Sequence, residues 1–247
     1  MASGRHPPPR FLDLGEQGLV VELGATIDDA IGERVHRLAR RVGERLGHRV
    51  LEVVPTYRSL LVVHDPVTEP REGLRVAITA LAAELDDAPA AAPGRLVRLP
   101  VCYGGARGPD LQWVASHSGL TADEVVALHA APDYRVQLLG FTPGFPYLTG
   151  LDPRLASPRL EAPRPRVAAG SVGIGGEQTG VYPVASPGGW RIVGRTPLRL
   201  FDPAAARPFL FAIGDRVRFE PIDEAAFTAL AAQGAADRAP TVEEGGA

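Results

Sequence analysis

The chain has 247 residues, of which 45% are hydrophobic and 22% are charged, and its formal net charge is −3. These values are typical of a globular protein with one large or two small domains, and the slightly acidic balance argues against general nucleic-acid binding. All 26 basic residues are arginine, so mechanisms that need a lysine, such as a Schiff base or a P-loop, are excluded. No apolar run is long enough to span a bilayer. The N-terminus lacks the apolar core of a secretory signal, and the single cysteine cannot form an internal disulfide. We therefore expect a cytoplasmic protein.

The first part of the chain predicts a small α+β domain over residues 11–86, after a frayed, proline-rich stretch at 1–10. Two short strands at 11–23 precede a helix that Asp28 opens and Gly47 ends, with apolar residues spaced to share one face. The elements that follow are a strand, a strand, an amphipathic helix and a strand, at 49–54, 59–64, 70–85 and 95–100. This order of elements is that of a ferredoxin-like or split βαβ fold.

An alanine- and proline-rich segment at 87–94 is the predicted linker to a second domain at 95–232. Two short helices at 109–118 and 121–130 come first, and the second has a capping box of Thr121 and Glu124. The elements after the helices are strands, expected at 134–139, 181–183, 190–193, 198–201 and 216–220. A mostly β domain with many turns predicts a barrel. The tail at 233–247 is rich in alanine, glycine and acidic residues, and we expect it to be disordered.

The segment 140–195 organises the second domain. It holds 11 glycines and 8 prolines in 56 residues, together with many aromatic residues, which excludes a long helix and argues against disorder. Six arginines face only three acidic residues there. A shaped, cationic, aromatic-lined loop surface suits a small anionic ligand or an acidic partner.

The glycine run GSVGIGG at 170–176 permits two interpretations. It resembles a phosphate-binding loop, but it matches neither the P-loop nor the dinucleotide pattern, and a glycine-lined hairpin is the better account. Main-chain amides there could still bind an anion. Ser171 lacks the strand-to-helix context and the His/Asp pair of a nucleophile elbow.

The candidate site residues supply aromatic faces, hydrogen-bonding groups and positive charge. Two arginines can hold a carboxylate or phosphate, namely Arg166 and Arg195. His129 lies at the end of the second helix, just before the strand that enters the central segment, so it is the candidate for proton transfer. The candidates for substrate binding are Phe145, Tyr147, Arg166, Gln178, Thr179 and Tyr182. The histidines show no metal-ligand spacing, so no metal site is predicted. A purely structural role in filling the barrel is an equally open interpretation of these residues.

Three stretches resemble one known family: GFTPGFPYLTGLDPRL, PRPRVAAGSVGIGGEQTGVYPVASPGGWRIVGRTPLRLFD and GDRVRFEPI. They are similar to the family of 5-oxoprolinase B subunits, also named allophanate hydrolase small subunit or kinase inhibitor, with relatives in the carboxyltransferase region of urea carboxylase. The resemblance covers residues 11–222 and implies a small ferredoxin-like α+β domain followed by a cyclophilin-like β-barrel.

The resemblance also implies a function and partners. The family acts with a larger homologous 5-oxoprolinase subunit and with a third, TIM-barrel-like subunit in the opening of 5-oxoproline to L-glutamate, with ATP as co-substrate together with Mg²⁺. His129 and Arg195 would then be catalytic, and the chain would be inactive alone. Two alternatives stay open, namely a regulatory module that inhibits a sensor histidine kinase and a carboxyltransferase-type component.

Overall fold

The structure is a computed structural model that describes residues 4–85, 94–233 and 242–243. The chain divides into two compact units, with residues 4–85 in the first unit and the later described residues in the second. Each unit has a hydrophobic core of its own. The predicted linker, apart from Gly94, and most of the predicted tail lie outside the described residues.

The first unit is an antiparallel sheet with two helices. Its strands are β1 (Arg5–Leu14), β2 (Gly18–Gly24), β3 (Glu52–Pro55) and β4 (Ser59–Val63). Its helices are α1 (Asp29–Leu46) and α2 (Arg71–Glu84). The strand order is β1-β2-β4-β3, and each neighbouring pair is antiparallel.

The sequence correctly predicts how α1 begins and which face of each helix is buried. The Asp28 carboxylate accepts hydrogen bonds from the amides of Ala30 and Ile31 at 2.9 and 3.1 Å, which satisfies donors that have no partner within the helix. The apolar residues spaced along one side of each helix are buried together, namely Ile31, Val35, Leu38, Val42, Leu46, Leu74, Ile78, Leu81 and Leu85. These faces pack into one core because their spacing follows the helical period.

The predicted ferredoxin-like fold of the first unit is not confirmed. The strand expected to complete it belongs to the second unit, as β5 (Leu96–Tyr103). The edge next to β2 is occupied by β1, which begins at Arg5 within the stretch expected to be frayed. Only three residues connect β1 to β2, so this hairpin forms locally. Its prolines are tolerated because β1 lies at the edge of the sheet.

The second unit is built on a barrel, as the sequence predicts. The strands after β5 are β6 (Tyr134–Leu139), β7 (Pro146–Thr149), β8 (Arg164–Val167), β9 (Ser171–Gly175), β10 (Gln178–Val181), β11 (Ser186–Gly188), β12 (Arg191–Arg195), β13 (Arg216–Ile222) and β14 (Val242–Glu243). Within the described residues, seven strands follow the order β12-β9-β10-β7-β6-β13-β5. The barrel closes where β12 pairs with β5, with Arg195 opposite Cys102. Strands β8 and β11 form a separate two-stranded sheet.

In the described part of the second unit, three α-helices accompany the barrel, namely α3 (Leu111–Ser118), α4 (Ala122–Ala130) and α5 (Glu224–Ala232). The predicted capping box of α4 is confirmed, since the Glu124 amide donates to the Thr121 hydroxyl and the Glu124 carboxylate accepts from the Thr121 amide, at 3.2 and 2.7 Å. No helix in the described part of the chain is long and apolar enough to cross a membrane.

Two predictions for the second domain are corrected. The strand expected at 198–201 is absent, and within it only Phe201 forms an isolated bridge, to Phe209. Pro197 and Pro203 flank this segment, and proline supplies no amide hydrogen for a ladder. In the tail, β14 pairs with β5, so the expected disorder does not hold at those two residues.

Candidate functional site

Five aromatic side chains of the central segment line a pocket of about 300 Å³ on the barrel unit, namely Phe141, Phe145, Tyr147, Tyr182 and Trp190. Arg159 also lines this space, which we call the aromatic pocket. The rings meet edge to face: the Phe145 centroid is 5.1 Å from that of Tyr182 and 5.4 Å from that of Trp190, with interplanar angles of 84° and 87°. Edge-to-face pairs are favourable arrangements of aromatic quadrupoles. The pocket walls are therefore a mutually packed aromatic cluster.

The strands explain why these rings converge. Phe145 and Tyr147 are two residues apart at β7, so their side chains emerge on the same face. Tyr182 directly follows β10, and Trp190 directly precedes β12. Since β10 pairs with both β7 and β9, and β12 pairs with β9, the ends of these strands lie side by side. The barrel thus brings three sequence stretches to one place.

Glycines make room for the aromatic rings. A Cβ atom on Gly175 would lie 2.6 Å from the Trp190 ring, and one on Gly188 would meet the hydroxyl and ring of Tyr182. No real Cβ comes this close to its neighbours. Three glycines of the GSVGIGG run, Gly173, Gly175 and Gly176, lie in the β9–β10 hairpin, with a turn at Gly176. This arrangement confirms the hairpin interpretation, and ring packing explains Gly175.

Phe141 lies beside the pocket in a strained conformation. Its φ is +63°, and within the described ranges no other residue besides glycine has a positive φ. A bulky side chain in this region costs about 1 kcal/mol or more. The ring is 62% exposed and packs edge to face on Phe145 at 5.7 Å. An exposed ring held at an energetic cost is typical of a ligand-binding position rather than of a packing one.

Arg159 supplies the positive charge of the aromatic pocket. Its guanidinium carbon lies 5.9 Å from the centroid of the Trp190 ring, and the side chain is exposed. Burial raises the pKa of both Tyr147 and Tyr182, and the nearby Arg159 charge offsets only part of this rise. Both phenols are therefore neutral at physiological pH. The pocket offers aromatic faces, neutral hydroxyls and one cation.

Arg195 lies in a second cavity of the barrel unit, of about 910 Å³, which we call the arginine groove. Its polar and aromatic lining residues are Arg107, Arg195, Thr196, Arg199, Phe201, Asp202 and Phe227. Trp190 and Arg195 stand at opposite ends of β12, and a strand rises about 3.3 Å per residue. Arg195 is therefore not part of the aromatic pocket.

The structure separates the other predicted site residues as well. Phe145, Tyr147 and Tyr182 are brought together as predicted. Arg166 is exposed on β8, and it lines neither the aromatic pocket nor the arginine groove. Gln178 is half-buried at the start of β10, also outside both cavities.

Thr179 is fully buried in the barrel interior beside His129. His129 has no exposed surface, and its ring stacks on Phe219 at 4.6 Å. Its Nδ1 atom is 2.8 Å from the Tyr103 hydroxyl, and its Nε2 atom is 2.9 Å from the Thr179 hydroxyl. Burial lowers the pKa of His129 to about 3. The expected proton-transfer role is therefore revised: this histidine is a neutral, hydrogen-bonded core residue with no exposed surface in the described structure.

Asp110 has a role that the sequence does not reveal. Asp110 directly precedes α3, a position where aspartate typically caps a helix, but its side chain makes no capping hydrogen bond. Its carboxylate instead accepts from the Arg164 guanidinium at 2.8 Å and from the Ile192 amide at 2.6 Å. It thus fixes β8 and β12, the two strands that flank the aromatic pocket, to the start of α3.

The chain is similar to known proteins both in sequence and in fold. Residues 9–211 match the family model described as carboxyltransferase domain, subdomain C and D. The chain is 45% identical over 212 residues to the 5-oxoprolinase B subunit of Escherichia coli O157:H7, an alignment that covers 85% of this chain and 95% of that protein. It is 39% identical over 221 residues to the protein of the same name from Bacillus subtilis (strain 168), covering 85% and 92% of the two chains. Among solved structures, K. lactis urea amidolyase superposes with a TM-score of 0.78 over 99% of this chain and 17% of that one. At 22% identity, this last likeness concerns the fold alone.

Proposed function

The chain belongs to the family of 5-oxoprolinase B subunits, and from this premise we propose that it is one component of an ATP-dependent complex that hydrolyses 5-oxo-L-proline to L-glutamate. The partners in this proposal are a larger homologous subunit and a TIM-barrel-like subunit. The observation that carries the proposal is the aromatic pocket with Arg159 among its lining residues.

The chemistry of the substrate explains why ATP is needed. A five-membered lactam is a stable amide, and water alone attacks its carbonyl carbon slowly. Transfer of the terminal phosphoryl group of ATP to the lactam oxygen gives an activated imidate and ADP. Addition of water then opens the ring at the carbon–nitrogen bond, and a second water releases phosphate. The products are glutamate, ADP and phosphate.

The aromatic pocket matches the shape and charge of 5-oxoproline. The flat, neutral lactam ring suits the aromatic lining, of which Phe141 is the exposed ring, and the carboxylate suits the Arg159 guanidinium, which can hold it by two parallel hydrogen bonds. The neutral hydroxyls of Tyr147 and Tyr182 can act as hydrogen-bond donors. These assignments replace the expected grouping of Arg166, Gln178 and Thr179 around the substrate, which the structure does not bring together.

In this proposal the aromatic pocket binds the lactam substrate but supplies no general base that could activate water. Among the residues that the structure describes, those that line the pocket include no carboxylate, histidine or cysteine, and both tyrosines are neutral. Activation of water requires a base within hydrogen-bond reach of the substrate. We therefore propose that the two partner proteins supply the catalytic groups and that the isolated chain is inactive.

Reconstitution tests this proposal. The chain is co-expressed with a candidate larger homologous subunit and a candidate TIM-barrel-like subunit, and glutamate and ADP are measured after addition of 5-oxoproline. The proposal predicts equal amounts of both products, and no turnover when this chain is omitted. Full turnover without this chain, or a stable three-component complex with no turnover, would contradict it.

A second candidate function is a carboxyltransferase-type component. The matched family model, which is described as a carboxyltransferase domain, favours it. The same reconstituted complex distinguishes the two candidates, because carboxyl transfer requires a biotinylated carrier whereas lactam hydrolysis does not. Activity that depends on added carboxybiotin would favour the second candidate.

A further inference from the structure

The arginine groove contains one cation without an acidic partner in the described part of the chain. Arg107 is paired with Glu224 at 2.8 Å, and Arg199 is paired with Asp202 at 2.7 Å. Arg195 donates through Nε to the carbonyl oxygen of Ala169 at 2.8 Å, and no carboxylate of the described residues contacts it. The arginine groove thus has an excess positive charge at Arg195.

The surroundings of Arg195 make this charge costly. Burial, and then repulsion from the Arg107 guanidinium, lower the pKa of Arg195. The side chain is only partly exposed, so water stabilises its charge incompletely. Arg107 cannot move away easily, because it is held by Glu224 and lies 4.0 Å from the centroid of the Phe227 ring. Two guanidinium groups fixed near each other are most stable with an anion between them.

The size of the groove and its lining beyond the arginines indicate which chemical group is joined to the anion. Its volume of about 910 Å³ is three times that of the aromatic pocket, so a single inorganic phosphate would leave most of it empty. Beyond the arginines, the lining is mainly apolar or aromatic, and it includes Pro197, Leu198 and Phe201. This surface suits a flat, weakly polar group joined to the anion.

We propose that the arginine groove is the nucleotide-binding site, with Arg195 and Arg107 on the phosphates of ATP and the surface near Phe201 against the base. The choice of ATP among nucleotides rests on the proposed function. The described residues that line the groove all belong to the barrel unit. The groove adjoins the aromatic pocket along the chain, since Pro183 lines the groove and Tyr182 lines the pocket, so this chain would hold both co-substrates near each other.

Equilibrium binding of MgATP to the purified full-length chain, without partners or 5-oxoproline, tests this site. Isothermal titration calorimetry should detect binding that is tighter for ATP than for tripolyphosphate, because the base adds contacts. Arg195→Ala should raise the dissociation constant by about 10- to 100-fold, the loss expected for a charge-assisted hydrogen bond. Arg195→Gln keeps a donor for Ala169 but removes the charge, so it should weaken ATP binding similarly while preserving the local fold.

Arg154→Ala is the matched control, since Arg154 is a surface arginine paired with Asp152 and 61% exposed. It should bind ATP as the parent does. No ATP binding to the chain, equal affinity for ATP and tripolyphosphate, or unchanged affinity in both Arg195 variants would overturn the nucleotide site. None of these results depends on 5-oxoproline turnover, so a failure here is distinguishable from a failure of the proposed function.

Discussion

The Nε2 atom of His129 lies 2.9 Å from the hydroxyl oxygen of Thr179 inside the barrel. The Thr179 hydroxyl donates its one hydrogen to the carbonyl oxygen of Gly173 at 3.0 Å, so it must accept from His129. The Nδ1 atom of the same ring is then free to accept from the Tyr103 hydroxyl at 2.8 Å. A neutral imidazole satisfies every one of these hydrogen bonds, and a protonated one does not.

This hydrogen-bond network predicts that the barrel unit becomes less stable as the pH falls. The pKa of His129 is about 3 when folded and about 6.5 when unfolded, so the unfolded chain binds one more proton as pH falls below 6.5. Stability is complete above that pH and declines towards pH 3, by at most about 1.4 kcal/mol per pH unit. Urea titrations followed by the fluorescence of Trp113 and Trp190 measure the free energy of unfolding of the barrel unit at each pH. His129→Gln should show a smaller decline between pH 6.5 and 5 than the parent, and a decline equal to the parent's would contradict this account.

Two adjacent glycines provide a test of the packing around the aromatic pocket. A Cβ on Gly188 would collide with Tyr182, whereas the nearest atom to a Cβ on Gly189 is 3.8 Å away. Gly188→Ala should therefore lower the free energy of unfolding by about 1–3 kcal/mol through overpacking. Gly189→Ala should change it by less than about 0.5 kcal/mol. Similar unfolding free energies for the two variants in urea titrations would contradict this account of the glycines.

The strain at Phe141 predicts that its backbone conformation lowers the stability of the barrel unit, whereas its ring contributes to ligand binding. Phe141→Gly removes the steric cost of a positive φ, whereas Phe141→Ala retains it, so the glycine variant should be more stable than the alanine variant by about 1 kcal/mol. Both variants lose the ring beside the pocket, and both should bind 5-oxoproline more weakly. An alanine variant as stable as the glycine variant, measured by urea unfolding, would exclude stored strain.

The hydrogen bonds of Asp110 predict that its replacement strongly lowers the free energy of unfolding, although Asp110 does not line the aromatic pocket. Asp110→Ala would leave the Ile192 amide and the Arg164 guanidinium without their partner, at a cost of about 2–4 kcal/mol. A double-mutant cycle with Arg164→Ala isolates the ion pair, because the second substitution removes the cation that the first leaves unpaired. We expect the double variant to be less destabilised than the sum of the single variants. Strict additivity would show that the pair contributes nothing.

Local pattern is sufficient to predict several features of the fold. The two helices of the first unit follow from apolar spacing and from caps such as Asp28, because those interactions lie within a few residues. The aromatic cluster follows from composition alone, as Phe145, Tyr147 and Tyr182 are large, apolar and surrounded by turn residues. The ferredoxin-like prediction fails because a sequence order of elements does not show which strand occupies a sheet edge.

Long-range pairing accounts for what the sequence could not show. Arg195 and Trp190 are five residues apart in a segment that the sequence assigns to one surface, yet β12 places them at opposite ends of the strand. His129 is in the last turn of a helix whose inward face is determined only by the closed barrel. The segment 140–195 predicts a cationic, aromatic-lined surface that includes Arg159 and Phe141, but nothing in it indicates which arginine lies beside the rings or which residue has a positive φ.

The KM for 5-oxoproline of complexes reconstituted with Arg159→Ala, at saturating ATP, tests the central claim that the aromatic pocket binds the lactam substrate. We predict an increase of about tenfold or more, from loss of the carboxylate contact, with the KM for ATP unchanged. Arg154→Ala, at an exposed arginine outside the pocket, should leave both values at the parent level. An Arg159→Ala complex with the parent's KM for 5-oxoproline would show that the substrate binds elsewhere.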